Sequence, residues 1–426
     1  MKKLKLQILL FGVIASQQLA FATDRIVADG GQGGAFSTIT QAITASVAND
    51  RILVYPKSGG SPYTENIVIN KNIQILSAVE GKYFGVNGAV NIDGASMPVN
   101  GSVTIIGMNL QNGNISAISQ ANSGGKTKVN ILGCRLDNGV INFYTQYYYD
   151  LTASADSLMN GAVQLRFGRV IGCFIQNQTI ASTHNIYVTG DAISTNDSIL
   201  IVGNHILTCP VAGYAAGIYW ESTTQFQFIS NNYIRCMNTG GYSGGIYIYT
   251  NKNSLAGRNT IINNTIYSPG YLWMAIYEYS LYQNSYNDVY NNLILSTLSS
   301  GYGGIYWGTT ISFNTASYNF VKSTTGGMTG LANNGTNNFN TNTDGFFNVT
   351  TGELLAGADA INAGYSDSAF YDLDITPNDV GCYGGSFSLA QFHPMNLAGS
   401  RVTYMTAPRR VVIGQAVNIK ANSFDR

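Results

Sequence analysis

Two short patterns recur along this chain in phase with one another, and their shared period constrains the fold more than any other feature. The first places Asn204, Asn232, Asn264, Asn292 and Asn319 each two residues before an Ile or Val, at spacings of 28, 32, 28 and 27. Cys134 and Cys173 fill the same slot further upstream. The second pairs Ile186-Tyr187, Ile218-Tyr219, Ile246-Tyr247, Ile276-Tyr277 and Ile305-Tyr306, at spacings of 32, 28, 30 and 29. Self-similarity at a period of this size marks a stacked repeat architecture. Between the markers lie β-branched and aromatic runs punctuated by Gly, Asn and Ser, with no helical periodicity. Each period thus holds about three short strands and three turns, one coil of a parallel β-helix. The expected fold is all-β, a right-handed parallel β-helix of about 10 to 11 coils, since parallel crossovers almost always take that hand.

Stacked coils bring like residues within about 4.8 Å of each other. An Asn repeated at one turn can then satisfy the buried turn amides above and below it, so the marker Asn residues are assigned a structural ladder. Cys134 and Cys173 are expected in that ladder as small buried residues, and as neighbours in the stack they would lie within disulfide reach. Successive strand side chains face opposite ways. If the marker Ile residues, with Val188 and Ile248, fill the core, then Tyr187, Tyr219, Tyr247, Tyr277 and Tyr306 form one outward row. Thr189, Glu221, Tyr249, Tyr279 and Gly308 share that face two residues on. The same alternation turns Glu278 inward, which is costly unless the group is neutral or paired.

The order Ile-Tyr, apolar strand, Asn-Asn-x-Ile resembles the repeats of right-handed parallel β-helix proteins of the pectate-lyase-like superfamily, over roughly residues 24 to 385. The opening is similar too: Ile39, Ala42, Ile43 and Val47 suit a short helix that plugs the first coil, with Ser37 as its cap. Tyr63-Thr64-Glu65 resembles the first motif of pectin methylesterases, but none of that family's later catalytic motifs follows. The stretch from Asp372 to Gly385 is similar to the closing segment of secreted bacterial β-helix proteins, with Ile375 where Gly is usual and Cys382 where Ala is usual. Asp372, Asp374 and Asp379 there supply carboxylates of the type that holds Ca²⁺, although an exposed terminal turn accounts for them as well.

Charged residues make up only 10% of the chain and the formal net charge is zero. Nucleic acid is therefore not an expected partner, because phosphate binding draws on Lys and Arg. Lys2, Lys3 and Lys5, the apolar run from Ile8 to Ala15, and Ala20-Phe21-Ala22 read as a signal peptide over residues 1–22, hence a secreted or cell-surface protein. No run is long enough to be a transmembrane span. The β-helix is assigned to residues 23–395, with a closing segment at 372–385, and residues 396–426 to the start or a fragment of a C-terminal β module. Five Cys leave at least one unpaired, and three scattered His do not make a zinc site. Gly30 to Gly34 lacks the Lys-Ser/Thr of a phosphate loop.

Exposed Tyr rings about 4.8 Å apart offer flat faces and hydroxyls suited to a chain of sugars, and the resemblance implies that this sheet lines a substrate groove. The substrate-binding candidates are Tyr187, Tyr219, Tyr247, Tyr249, Tyr277, Tyr279 and Tyr306. The one carboxylate on the face, Glu221, is the candidate catalytic acid or base, with Asp191, Lys252, Arg258 and His184 near in sequence. The long interval from Ile141 to Cys173 reads as an inserted loop that carries Tyr147, Tyr148, Tyr149, Asp150 and Asp156 beside the groove. Three readings follow for a monomeric protein: a polysaccharide binder, a polysaccharide lyase or glycoside hydrolase in the same groove, or a structural or adhesive spacer whose Tyr row only stiffens the sheet.

Overall fold

A computed structural model of the chain describes residues 23–177, 184–190, 198–208, 215–222, 226–237, 243–249, 258–279, 286–298, 304–307, 314–322, 339–340, 347–393, 401–406 and 416–424. The proposed signal peptide, Asp191, Cys209, Lys252 and Gly308 lie outside the described residues. The chain winds as a right-handed parallel β-helix whose three sheets carry 12, 12 and 10 strands among those residues. One coil shows the plan. Ser198–Val202 belongs to the first sheet, His205–Leu207 to the second and Ala215–Ser222 to the third, and each strand pairs in parallel with its counterparts one coil away. The core runs up the middle. Ile186, Ile218, Ile246, Ile276 and Ile305 form one fully buried column, with Val188 and Ile248 beside it.

The Asn ladder stands at the turn between the first and second sheets. Asn204 Nδ2 donates to Asn232 Oδ1 at 2.9 Å, and the Asn204 backbone N–H donates to the same oxygen at 3.0 Å. The pattern repeats from Asn232 to Asn264, Asn264 to Asn292, and Asn292 to Asn319. A second ladder, unmarked in the sequence reading, stands at the turn after the third sheet. Asn259 Nδ2 donates to Asn287 Oδ1 and Asn287 Nδ2 to Asn314 Oδ1, both at 2.9 Å.

The interval after Ile141 is not an inserted loop. It holds a further coil, built from Tyr149–Ser154, Ser157–Met159 and Ala162–Leu165. Asp156 takes its ladder slot, and Oδ1 accepts the Cys134 backbone N–H at 2.7 Å. The coil escapes the sequence pattern because an acid replaces the ladder Asn and Val163-Gln164 replaces Ile-Tyr. Tyr149 therefore does not wall a groove: it is buried, its hydroxyl accepting the Gly94 N–H and donating to the Ser119 carbonyl. Cys134 and Cys173 do occupy ladder positions, but Asp156 separates them, so they are not neighbours in the stack. The described cysteines, Cys134, Cys173, Cys236 and Cys382, are all buried.

The first coil is plugged by the helix Ile39–Ala45, which buries Ile39, Ala42 and Ile43. Its N-cap is Thr38 rather than Ser37, and Val47 lies past its end, 48% exposed. Glu65, the acid of the esterase-like motif, reaches from the next coil to accept the backbone N–H groups of Ile39 and Thr40. Lys71 Nζ donates to the carbonyls of Ile43, Thr44 and Ser46 at the other end. Both charges match the helix dipole, and that motif thus serves as the fastening of the plug.

At the other end, residues 347–393 fold back along the outer face of the second sheet. The first Asn of each Asn-Asn pair holds them: Asn231, Asn263 and Asn291 have φ of 56, 54 and 56°, which turns their side chains out of the coil. Asn231 Nδ2 donates to the carbonyls of Cys382 and Gly384, and Asn263 Nδ2 to Asn378 Oδ1 and the Asp379 carbonyl. Asn291 Oδ1 accepts the Tyr365 N–H. Further along, Phe392 packs over Gly172 and Gly203, which carry no Cβ to obstruct it. Beyond this strap, Arg401–Thr406 pairs antiparallel with Lys420–Phe424, and Tyr404 stacks on Phe387.

Candidate functional site on the third sheet

Parallel register carries one outward position through the whole third sheet. Asn142 pairs with Gln164, Gln164 with Tyr187, and the Tyr residues then follow in order through Tyr219, Tyr247 and Tyr277 to Tyr306. The row is thus amide-bearing upstream and phenolic downstream. Tyr219 and Tyr247 lie with ring centroids 4.9 Å apart and planes 5° apart. Tyr187 and Tyr219 are 5.5 Å apart, and Tyr277 meets Tyr247 edge-on at 4.8 Å. This arrangement changes the expected chemistry. Ring faces in the middle of the row cover one another, so hydroxyls and ring edges face outward rather than flat platforms. Tyr277 is only 8% exposed, because Trp273 and its neighbours in the row pack round it.

A second row runs beside the first. Glu221 pairs with Thr189 and with Tyr249, and Tyr249 stacks on Tyr279 at 5.7 Å. Glu221 is exposed, and its Oε2 accepts the Tyr187 hydroxyl at 3.0 Å. Burial, and then the Glu221 charge, hold the Tyr187 phenol above its ordinary pKa, so it stays a donor. Tyr219 is raised further by the same causes. Arg166 follows the strand Ala162–Leu165 directly. Its Nε donates to the Tyr144 carbonyl and its guanidinium lies 4.1 Å from the Tyr147 ring centroid. Sequence reasoning missed this cation because it treated its coil as a loop.

His184 stacks on Tyr219 at 4.2 Å, and its Nδ1 accepts the Ala216 backbone N–H at 3.1 Å. Burial lowers its pKa to about 4, which keeps the imidazole neutral and able to accept. Arg258 is not part of the face; it sits at the head of the first sheet with Nε 2.7 Å from Asp288 Oδ1. Glu278 does turn inward and is fully buried, where it accepts the Asn314 side-chain amide. Its position at the end of the second ladder gives the expected misfit a structural partner.

In the closing segment, Asp372 accepts the Asp379 and Gly385 backbone N–H groups, Asp374 accepts Thr376, and Asp379 accepts Asn362. Burial raises the Asp372 pKa to about 6. Among the described residues no three His, Cys, Asp or Glu side chains gather as a metal site. Ile375 has φ of 70° and is 81% exposed, the backbone state that suits the Gly usual in such segments.

Fold and face together define a parallel β-helix with a polar, Tyr-rich sheet on its outside. Neither a family model nor a curated protein sequence matches the chain. Among solved structures it is similar to the crystal structure of pectate lyase Pel9A, with a TM-score of 0.47 and 13% identity over 87% of this chain and 98% of that one.

Proposed function

We propose that this protein is exported and binds a neutral polysaccharide lengthwise along the third sheet. The observation that carries the reading is the unbroken outward row from Asn142 to Tyr306, which repeats a hydrogen-bonding group at every coil. A glycan presents hydroxyls along its length, and amide and phenol groups can donate to and accept from them. Chains rich in charge would be held by Lys and Arg, and the Tyr stretch of this face offers neither.

The test is glycan binding by Tyr219 and Tyr247 variants. Tyr219→Ala and Tyr247→Ala should each weaken binding by about 1 kcal/mol or more, as central anchors do at other interfaces. Because the hydroxyls face outward, Tyr→Phe at the same positions should lose much of that energy too. Affinity should change little between low and high salt. Unchanged binding in all four variants would remove the reading. Enzymatic use of the same face is the second reading, and the hydrogen bond between Glu221 and Tyr187 supports it. Glu221→Gln with retained binding and abolished turnover would assign Glu221 as the acid or base.

A further inference from the structure

Beside Tyr247 and Tyr277 of the Tyr row lies a slot of about 10 Å³, lined with those rings by Ala215, Ala216, Gly244, Trp273, Ile246 and Met274. A space of that size holds roughly one water or one methyl group. A lone water needs two to four polar partners, and walls of Ala, Gly, Met and aromatic carbon supply few. The slot is also held in shape: His184 fixes the Ala216 N–H, and Trp273 meets Tyr277 edge-on at 5.2 Å. Small residues at 215, 216 and 244 keep open a gap that any larger side chain would close.

We infer that this slot takes a methyl-sized apolar substituent carried by the bound glycan, an O-acetyl methyl or the C6 methyl of a 6-deoxy sugar. The inference rests on the proposed glycan binding by the Tyr face and specifies which glycans the face prefers. Selectivity then comes from one buried methyl, while the Tyr hydroxyls supply contacts common to all neutral glycans.

Gly244→Ala tests it cleanly. A Cβ at that position meets Met274 O at 3.6 Å and Ala216 Cβ at 3.9 Å, ordinary contacts, and Gly244 lines the slot, so the added methyl should narrow the slot without disturbing the fold. The probes are an O-acetylated glucomannan, the same polymer after alkaline deacetylation, and a 6-deoxyhexose polymer. The wild-type protein should bind at least one methyl-bearing polymer about fourfold or more tighter than the deacetylated one, the free energy of one buried CH₃-sized group. Gly244→Ala should erase that preference and leave affinity for the deacetylated polymer unchanged. Which polymer loses affinity in the variant tells acetyl from 6-deoxy methyl. Equal wild-type affinity for all three polymers, or a preference that survives Gly244→Ala, overturns the slot while glycan binding stands. Binding to none of them overturns the glycan reading, and the slot with it.

Discussion

Asp156 stands where other coils place an amide, between Cys134 and Cys173 in the ladder. An Asn there would accept a backbone N–H through Oδ1 and donate through Nδ2 to a carbonyl one coil back, as Asn204 does to Val170. Asp156 does the first, while its Oδ2 is buried without a hydrogen-bond partner. Burial pushes its pKa well above the carboxylate range, and the Cys173 thiol with which it interacts brings no positive charge. The folded state therefore holds the proton more tightly than the unfolded chain. Stability from this group is full below the unfolded pKa and is lost as pH rises toward the folded one. Asp156→Asn should stabilise the protein by about 0.5 to 2 kcal/mol at pH 7, with a smaller gain near pH 4, as read by chemical denaturation. The sequence hid this residue because an acid in an Asn slot breaks the motif that identifies the slot. The same masking concealed Arg166 and a whole coil. By contrast, the Ile-Tyr marker fixed which side of the sheet each Tyr takes, since alternation along a strand leaves no freedom. How the rings turn toward one another was not legible, because ring rotation depends on the neighbouring coils.

Among elements, the Asn-Asn pairs show one dipeptide with two separate duties. The second Asn builds the ladder and the first grips the strap, and the left-handed backbone at the first is what points the two side chains apart. Only the ladder half could be read from spacing, since the strap's contacts span more than a hundred residues, as between Asn263 and Asn378. Asn263→Gly separates the duties: Gly accepts the positive φ at no steric cost, but the donor to Asn378, Asp379 and Gly381 is gone. It should cost about 1 to 3 kcal/mol, with faster amide hydrogen exchange confined to residues 347–393 while the Asn264 ladder stays protected. Uniform loss of protection across the coils would mean that the strap and the stack are one unit.

For the whole molecule, acid should be more damaging than the low charge content suggests. His184 and His205 are both held near a pKa of about 4, chiefly by burial, and the His393 and Arg235 charges add to the effect at His205. In the unfolded chain each takes up a proton near the ordinary value of about 6.5. Stability is thus undiminished above that value and falls as pH drops from about 6.5 to about 4, with a slope of up to about 1.4 kcal/mol per pH unit for each imidazole. Denaturation midpoints at pH 7, 5.5 and 4.5 check this, and His205→Phe should flatten the curve. A slope unaltered by that substitution would place the acid sensitivity elsewhere.

The strap also redirects force. It runs backward over the coils, from Tyr365 beside Tyr318 to Phe392 over Gly172 and Gly203, and His393 Nε2 lies 3.1 Å from the Gly203 carbonyl oxygen. Chain beyond residue 393 thus leaves from the middle of the stack and not from its tip. Tension applied between that chain and the first coil would pass through the early coils and the grip of Phe392, and would bypass the later ones. A solenoid pulled by its two tips sheds repeats singly. Here the coils that carry Tyr247, Tyr277 and Tyr306 lie beyond the gripped coil of Gly203 and Tyr219 and off the line of traction, so that part of the Tyr face would keep its spacing while the molecule is under strain.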